Sequence, residues 1–465
     1  MRCAVVLLTL AATPVLYGAP PAEEIRKLVD TALATPPEIA ADALIRIAES
    51  PKVSDRPYAI ELLHQAFTLA SSAVHPYRRV GGAGAAQGTD TDAGRLSSAL
   101  NSGLDGHSLQ VRATRALLAL DKEQGAKMFS SLPPPAFPAL TCRDSMLWRT
   151  DAYYDLVLEV FNSGFTERQK KEGRHVAMLE DQLRGMNSTF HLEPLTRMLL
   201  AVQVSTKLST PQFERLLAVY ATGLKALRPD DRSFSSGTRH GFTQAFYDLV
   251  AQTKKLNLSV TPLFDAYRTY LQDGIHAKRC EDSADPNGEG ATVVNMVYLL
   301  NGELKKLEQD LISPPAAGLP TVPERAQVYS YWTSPSARKL FGTMVALTRR
   351  EDKASDDWER QTRQFFNDVN DWEKDHGESP VNFFHQRAML YTAMLRNLAA
   401  GALRVTAAKD YLNVLVNSDV RRLSPPEWYM YARDLAAIVG REEIERSADA
   451  GVRLPFELRR VLEGK

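Results

Sequence analysis

The stretch Thr35-Pro-Pro-Glu-Ile-Ala-Ala-Asp-Ala-Leu-Ile-Arg-Ile47 decides the fold class. Its apolar residues, Ala43 and Ile47 with their neighbours, recur at three and four positions, the period of a helix face. Thr35 precedes two prolines, and Glu38 follows three residues later. That is the wording of a capped helix start, with the hydroxyl on an orphan N–H and a glutamate completing a capping box.

The same period runs through Ile60–Leu69, Val111–Leu120, Leu156–Phe161, Leu195–Val204, Phe213–Leu224 and Phe242–Val250. It continues through Val293–Leu311, Leu340–Leu347, Phe365–Trp372, Phe383–Leu398, Val405–Leu415 and Tyr429–Val439. Alternating β-branched runs between Asn-Gly or Asp-Gly turns are absent. The pattern predicts an all-α chain of roughly sixteen to eighteen helices.

Hydroxyl–proline pairs recur at Thr210-Pro211, Thr261-Pro262, Ser313-Pro314, Ser334-Pro335, Ser379-Pro380 and Ser424-Pro425, and each predicts a helix start. The last three are evenly spaced, 45 residues apart, with two helical patterns in each interval. A 45-residue period of helix pairs falls in the HEAT and armadillo range. The expected architecture is therefore a helical-hairpin array, an α-solenoid of the HEAT/TPR-like superhelical kind. Curling into an α/α-toroid-like ring is the alternative.

Lys+Arg and Asp+Glu number 56 each in 465 residues, so the formal charge is zero. Such balance offers no basic stripe for nucleic acid and no polybasic patch for an anionic membrane. Apolar residues make up 44%, an ordinary globular content.

Met1-Arg-Cys3, the apolar run Ala4–Leu16 and the small residues before Pro20 have the parts of a secretory signal peptide. Cleavage is expected after Gly18, and the run is too short to span a bilayer. The expected location is exported, periplasmic or extracellular. Cys142 and Cys280 then remain, and in an oxidising compartment they are expected to form a disulfide. It would close a loop of more than a hundred residues, worth roughly 4–5 kcal/mol.

The expected division is a signal peptide at 1–18, N-terminal helices at 19–80 and a glycine-rich loop at 81–106. A central all-α region at 107–312, a linker at 313–322 and C-terminal hairpins at 323–465 follow. The loop holds seven glycines but lacks the Gly-Lys-Ser/Thr ending of a phosphate cradle.

Asp282, Asp285, Asn287 and Glu289 place four oxygen ligands within eight residues, a candidate Ca²⁺ site. Their spacing is not that of an EF-hand, and turns use the same residues. Ser336-Ala-Arg-Lys339 matches Ser-x-x-Lys but has no Lys-Thr-Gly to complete the set. Nine histidines include no His-Glu-x-x-His pair, and no Gly-x-Ser-x-Gly elbow is present.

Three aromatic clusters offer surfaces for sugar rings: Trp148 with Tyr153 and Tyr154, Tyr329 to Trp332, and Trp428, Tyr429 and Tyr431. Rings so placed are more commonly packing between helices or at helix ends. With no complete catalytic motif, the expected function is an exported scaffold that binds a protein or peptide along a concave face. A polysaccharide-active α/α-toroid glycosidase or lyase is the alternative.

Overall fold

A computed structural model describes residues 22–73, 103–137, 150–204, 208–227, 234, 241–276, 279–280, 289–313, 321–322, 335–376, 380–423, 425–438 and 449–463. The signal segment, most of the glycine-rich loop, Cys142, Trp148, Asp282, Asp285, Asn287, Tyr329, Tyr331 and Trp332 lie outside them. The described chain is all-α.

Its helices are α1 (Glu23–Leu33), α2 (Pro37–Ala48), α3 (Arg56–Ser71), α4 (Gly106–Leu120), α5 (Lys122–Phe129), α6 (Asp151–Ser163), α7 (Glu167–Lys171) and α8 (Arg174–Arg184). A 3-10 turn, Thr189–His191, leads into α9 (Leu192–Val204), then α10 (Thr210–Ala226), α11 (Phe242–Lys255), α12 (Thr261–His276) and α13 (Glu289–Lys306). The last set is α14 (Pro335–Arg349), α15 (Asp356–Asp371), α16 (Pro380–Asn397), α17 (Ala402–Val416), α18 (Val420–Leu423), α19 (Pro425–Ile438) and α20 (Ala450–Leu458). A π-helical turn, Arg459–Glu463, follows α20. The described helices thus number twenty, because short pieces such as α7 and α18 carry too few turns to show a period. Among the described residues, the one pairing of extended chain is parallel and two residues long, β1 (Arg279–Cys280) against β2 (Thr321–Val322).

Helices α14, α16 and α19 open at Pro335, Pro380 and Pro425, so the 45-residue spacing marks real helix starts. Elsewhere the expected caps are displaced. Helix α10 is capped by Ser209, not Thr210, in a capping box with Gln212. Helix α2 begins after Pro36 without a side-chain cap, because Thr35 Oγ1 turns back to the Ala32 carbonyl at 2.6 Å. Thr261 is the first residue of α12. No described helix begins at Ser313, and α13 ends at Lys306 rather than running to Leu311.

Buried apolar side chains gather into two cores. One joins α1–α5 to α14–α20 and the final turn; the other unites residues 111 to 312. Helix α4 is the wall between them. Leu109, Ala113, Ala116 and Leu117 enter the first core, while Val111 and Leu118, two turns apart on another face, enter the second. A helix apolar on more than one face must be covered on each.

The first and last described helices meet within the first core. Helix α20 packs on α1 and α2, and Lys52 Nζ donates to the Val461 carbonyl. Along most of the chain a helix touches its neighbour and the next but one: α8 with α10, α9 with α11, α10 with α12, α14 with α16, and α15 with α17.

Two tryptophans close helix ends alike. Trp358 Nε1 donates to the Leu347 carbonyl at 3.0 Å and Trp428 Nε1 to the Leu415 carbonyl at 2.8 Å. Both acceptors belong to the last turn of a preceding helix, whose carbonyls have no partner within the helix.

Candidate functional site

Among the clefts between described helices, two stand out by volume. The larger, about 950 Å³, lies between α5, α6 and the α7–α8 hairpin. Its position follows from the tight α4–α5 corner. Asp121 caps α5 by accepting from the Glu123 and Gln124 amides, and Gly125 lets α5 pass directly over Leu118. A Cβ at Gly125 would sit 2.4 Å from the Leu118 Cα. The opposite wall is set by Gly164 at the end of α6 and by a Thr166–Gln169 capping box that starts α7.

The groove floor is apolar, with Ala126, Phe129, Leu132, Val160, Phe165 and Met178, and its rim carries Lys122, Glu123, Lys127, Arg174 and Asp181. An apolar floor with a polar rim of both signs is the anatomy of a protein-binding surface.

Gln182 at the groove leads inward to a buried polar network. Tyr153 donates to Gln182 Oε1 at 2.7 Å, and its ring meets Tyr154 edge-on at 5.2 Å. The Tyr154 hydroxyl lies 2.8 Å from His191 Nδ1, and His191 Nε2 lies 3.1 Å from Asn187 Oδ1. An amide oxygen only accepts, so Nε2 carries the proton and Nδ1 accepts from Tyr154. Burial, with the nearby His107 charge adding to it, lowers the His191 pKa to about 4. Burial also pushes the Tyr153 and Tyr154 hydroxyls well above their usual range. At neutral pH the network is uncharged and holds α6 to the start of α9.

The second cleft, about 680 Å³, lies between α15, α16, α17 and α18. A column of stacked rings backs it: Phe366 on Tyr391 at 5.5 Å, and Tyr391 on Tyr411 at 5.1 Å and 4°. Tyr391 donates to Asn370 Oδ1, which fixes one wall. Arg387, Lys374, Asp410, Asp419, Asn413 and Asn417 face the space. No motif marked these residues, because they come from two helices and the connections beside them, and their charges read as ordinary solvated positions.

The expected site residues fare unevenly. Glu289 opens α13, and Cys280 lies in β1 opposite Val322. The other candidate Ca²⁺ ligands and Cys142 lie outside the described residues. Ser336 and Lys339 are exposed on the first turns of α14. Tyr153, Tyr154, Trp428, Tyr429 and Tyr431 are buried in helix packing and present no open face to a sugar.

Among the described residues, no group of three or more His, Cys, Asp or Glu is placed to hold a metal ion. No described helix is long and apolar enough to cross a membrane. Comparison with protein-family models, curated proteins and solved structures finds no match to this chain.

Proposed function

We propose that the protein is an exported helical-repeat scaffold that holds a peptide or protein segment in the groove between α5, α6 and α8. The groove itself carries this reading: 950 Å³ of space with an apolar floor and a rim charged in both signs. A helix laid into such a groove buries one apolar face and leaves its polar face to the rim.

The reading includes a curved solenoid, and the packing order of the helices is what supports it. In packing order the array runs from α14 through α20 and α1 to α13, so consecutive helices α13 and α14 stand at its two ends. Stacked straight, roughly nine helix pairs at 8–10 Å each would span roughly 80 Å. Residues 321–322 pair with 279–280 beside α12, and α14 begins at 335. The 12 residues between 322 and 335 reach at most about 45 Å. A curved array would bring the ends within that reach. Export and the Ca²⁺ loop at 282–289 belong to the same proposal, with calcium as a structural ligand.

Panning a displayed peptide library tests the function. Peptides enriched on the wild-type protein are expected to lose at least tenfold in affinity on Ala177→Arg and Met178→Lys, with melting temperature unchanged. Equal affinity on the variants, or no enrichment at all, sinks the reading. The polysaccharide-enzyme alternative has less support, since the described aromatic residues it needs are buried.

A further inference from the structure

Arg387 stands in the wall of the second cleft, and no described carboxylate forms an ion pair with it. Among the described residues its only hydrogen bond is a long one, 3.4 Å from Nη2 to the Asn370 carbonyl. The guanidinium lies 5.5 Å from the centre of the Phe383 ring, and Nε is buried without an acceptor. No described carboxylate lies within 4 Å of it. Burial lowers its pKa, as expected for a half-desolvated cation.

Several other part-buried arginines are paired with carboxylates, while Arg404 and Arg459 bond backbone carbonyls. Arg112 meets Asp42 at 2.7 Å, Arg268 meets Asp265 at 2.5 Å, and Arg350 is held between Asp352 and Asp357. A guanidinium presents a planar fork that matches a carboxylate with two parallel N–H···O bonds. Arg387 lines a cavity of 680 Å³, within the roughly 300–1,000 Å³ of small-ligand sites.

The rest of the lining narrows the ligand. Asp410 and Asp419 bring two carboxylates to the same cavity, against the cations Arg387 and Lys374. Such balance disfavours a phosphate dianion and suits a ligand carrying one charge of each sign. Asn370, Asn413 and Asn417 supply amides that match a peptide backbone.

We propose that this cavity binds a short zwitterionic peptide, with its terminal carboxylate on the Arg387 guanidinium and its amino group drawn to Asp410 and Asp419. The site is built from a different set of helices than the groove between α5, α6 and α8, and does not depend on it.

Equilibrium dialysis of the full chain against three pools of random tripeptides tests the proposal: free termini, C-terminal amide, and N-acetyl. The free pool is expected to be retained, C-amidation to lower retention at least tenfold, and N-acetylation to lower it about threefold. Arg387→Gln is expected to match the loss caused by C-amidation, and Arg387→Lys to recover part of it. Ala177→Arg, in the other groove, is expected to leave retention unchanged, which separates this site from the proposed scaffold function. Should Arg387→Gln fail to fold, the comparison of acid and amide pools decides. Equal retention of those pools, no retention of any tripeptide, or retention unaffected by Arg387→Gln overturns the proposal. So does binding of trigalacturonate without binding of tripeptides, which would assign the cation to a sugar acid.

Discussion

The Tyr154 hydroxyl lies 2.8 Å from Nδ1 of His191, 37 residues further along, and ties α6 to the entrance of α9. The imidazole has to remain neutral there. Unfolded, it titrates near its ordinary value of 6.5; folded, near 4. Between those values the unfolded chain binds more protons, so stability rises with pH across the window. This imidazole is expected to contribute a constant amount to stability above about pH 6.5, of which about 3 kcal/mol is lost by pH 4. Urea melts at several pH values read this out. In His191→Asn the slope across the window should flatten, and an unchanged slope would assign it elsewhere.

Asp42 is buried in α2 and meets Arg112 of α4 at 2.7 Å. Removing the arginine leaves a buried carboxylate without its cation. Arg112→Met is expected to cost about 3–5 kcal/mol, and adding Asp42→Asn to recover part of that. A double-mutant cycle by chemical denaturation measures the coupling; additive effects would show that the pair is not coupled.

Gly125→Ala tests the corner that shapes the larger groove. In an exposed helix alanine is better than glycine by about 1 kcal/mol. Here the new Cβ would fall 2.4 Å from the Leu118 Cα, inside the contact distance of backbone atoms. The substitution is expected to destabilise by about 2 kcal/mol or more, with a lower melting temperature.

Arg387→Leu reverses the usual direction of a mutation. It removes a half-desolvated cation that has no described carboxylate beside it and keeps apolar contact with Phe383. The variant is expected to melt at or above the wild-type temperature while losing tripeptide retention. A clear drop in melting temperature would mean that the guanidinium is structural.

The proposed Cys142–Cys280 disulfide makes a covalent prediction. Peptide mapping of the oxidised protein should find the two residues linked, and reduction should cost roughly 4–5 kcal/mol through the long loop it opens. Two free thiols in the oxidised protein would rule the bond out.

Much of the helical frame was legible in the chain. Proline at 335, 380 and 425 marks the start of α14, α16 and α19 because its missing N–H costs nothing at a first helical position. The capping hydroxyls were less legible, since Thr210 and Thr261 sit inside the first turn. A serine or threonine caps from one position only, and proline is tolerated at several.

The clefts were not legible. Lys374, Arg387, Asp410 and Asp419 are scattered over 46 residues and each looks like a solvated helix charge. His191 had a faint signal in its apolar neighbours Phe190 and Leu192, but none for Tyr154 as its partner.

Periodicity, caps and composition are local properties, so the sequence by itself determined an all-α chain of paired helices with a neutral charge balance. Which helices share a core is a matter of distant contacts. Only the tertiary structure decided that α1–α5 join α14–α20, that α4 divides two cores, and that Arg387 loses water without gaining a described carboxylate. Desolvation depends on everything packed around a group, and chain order does not record that.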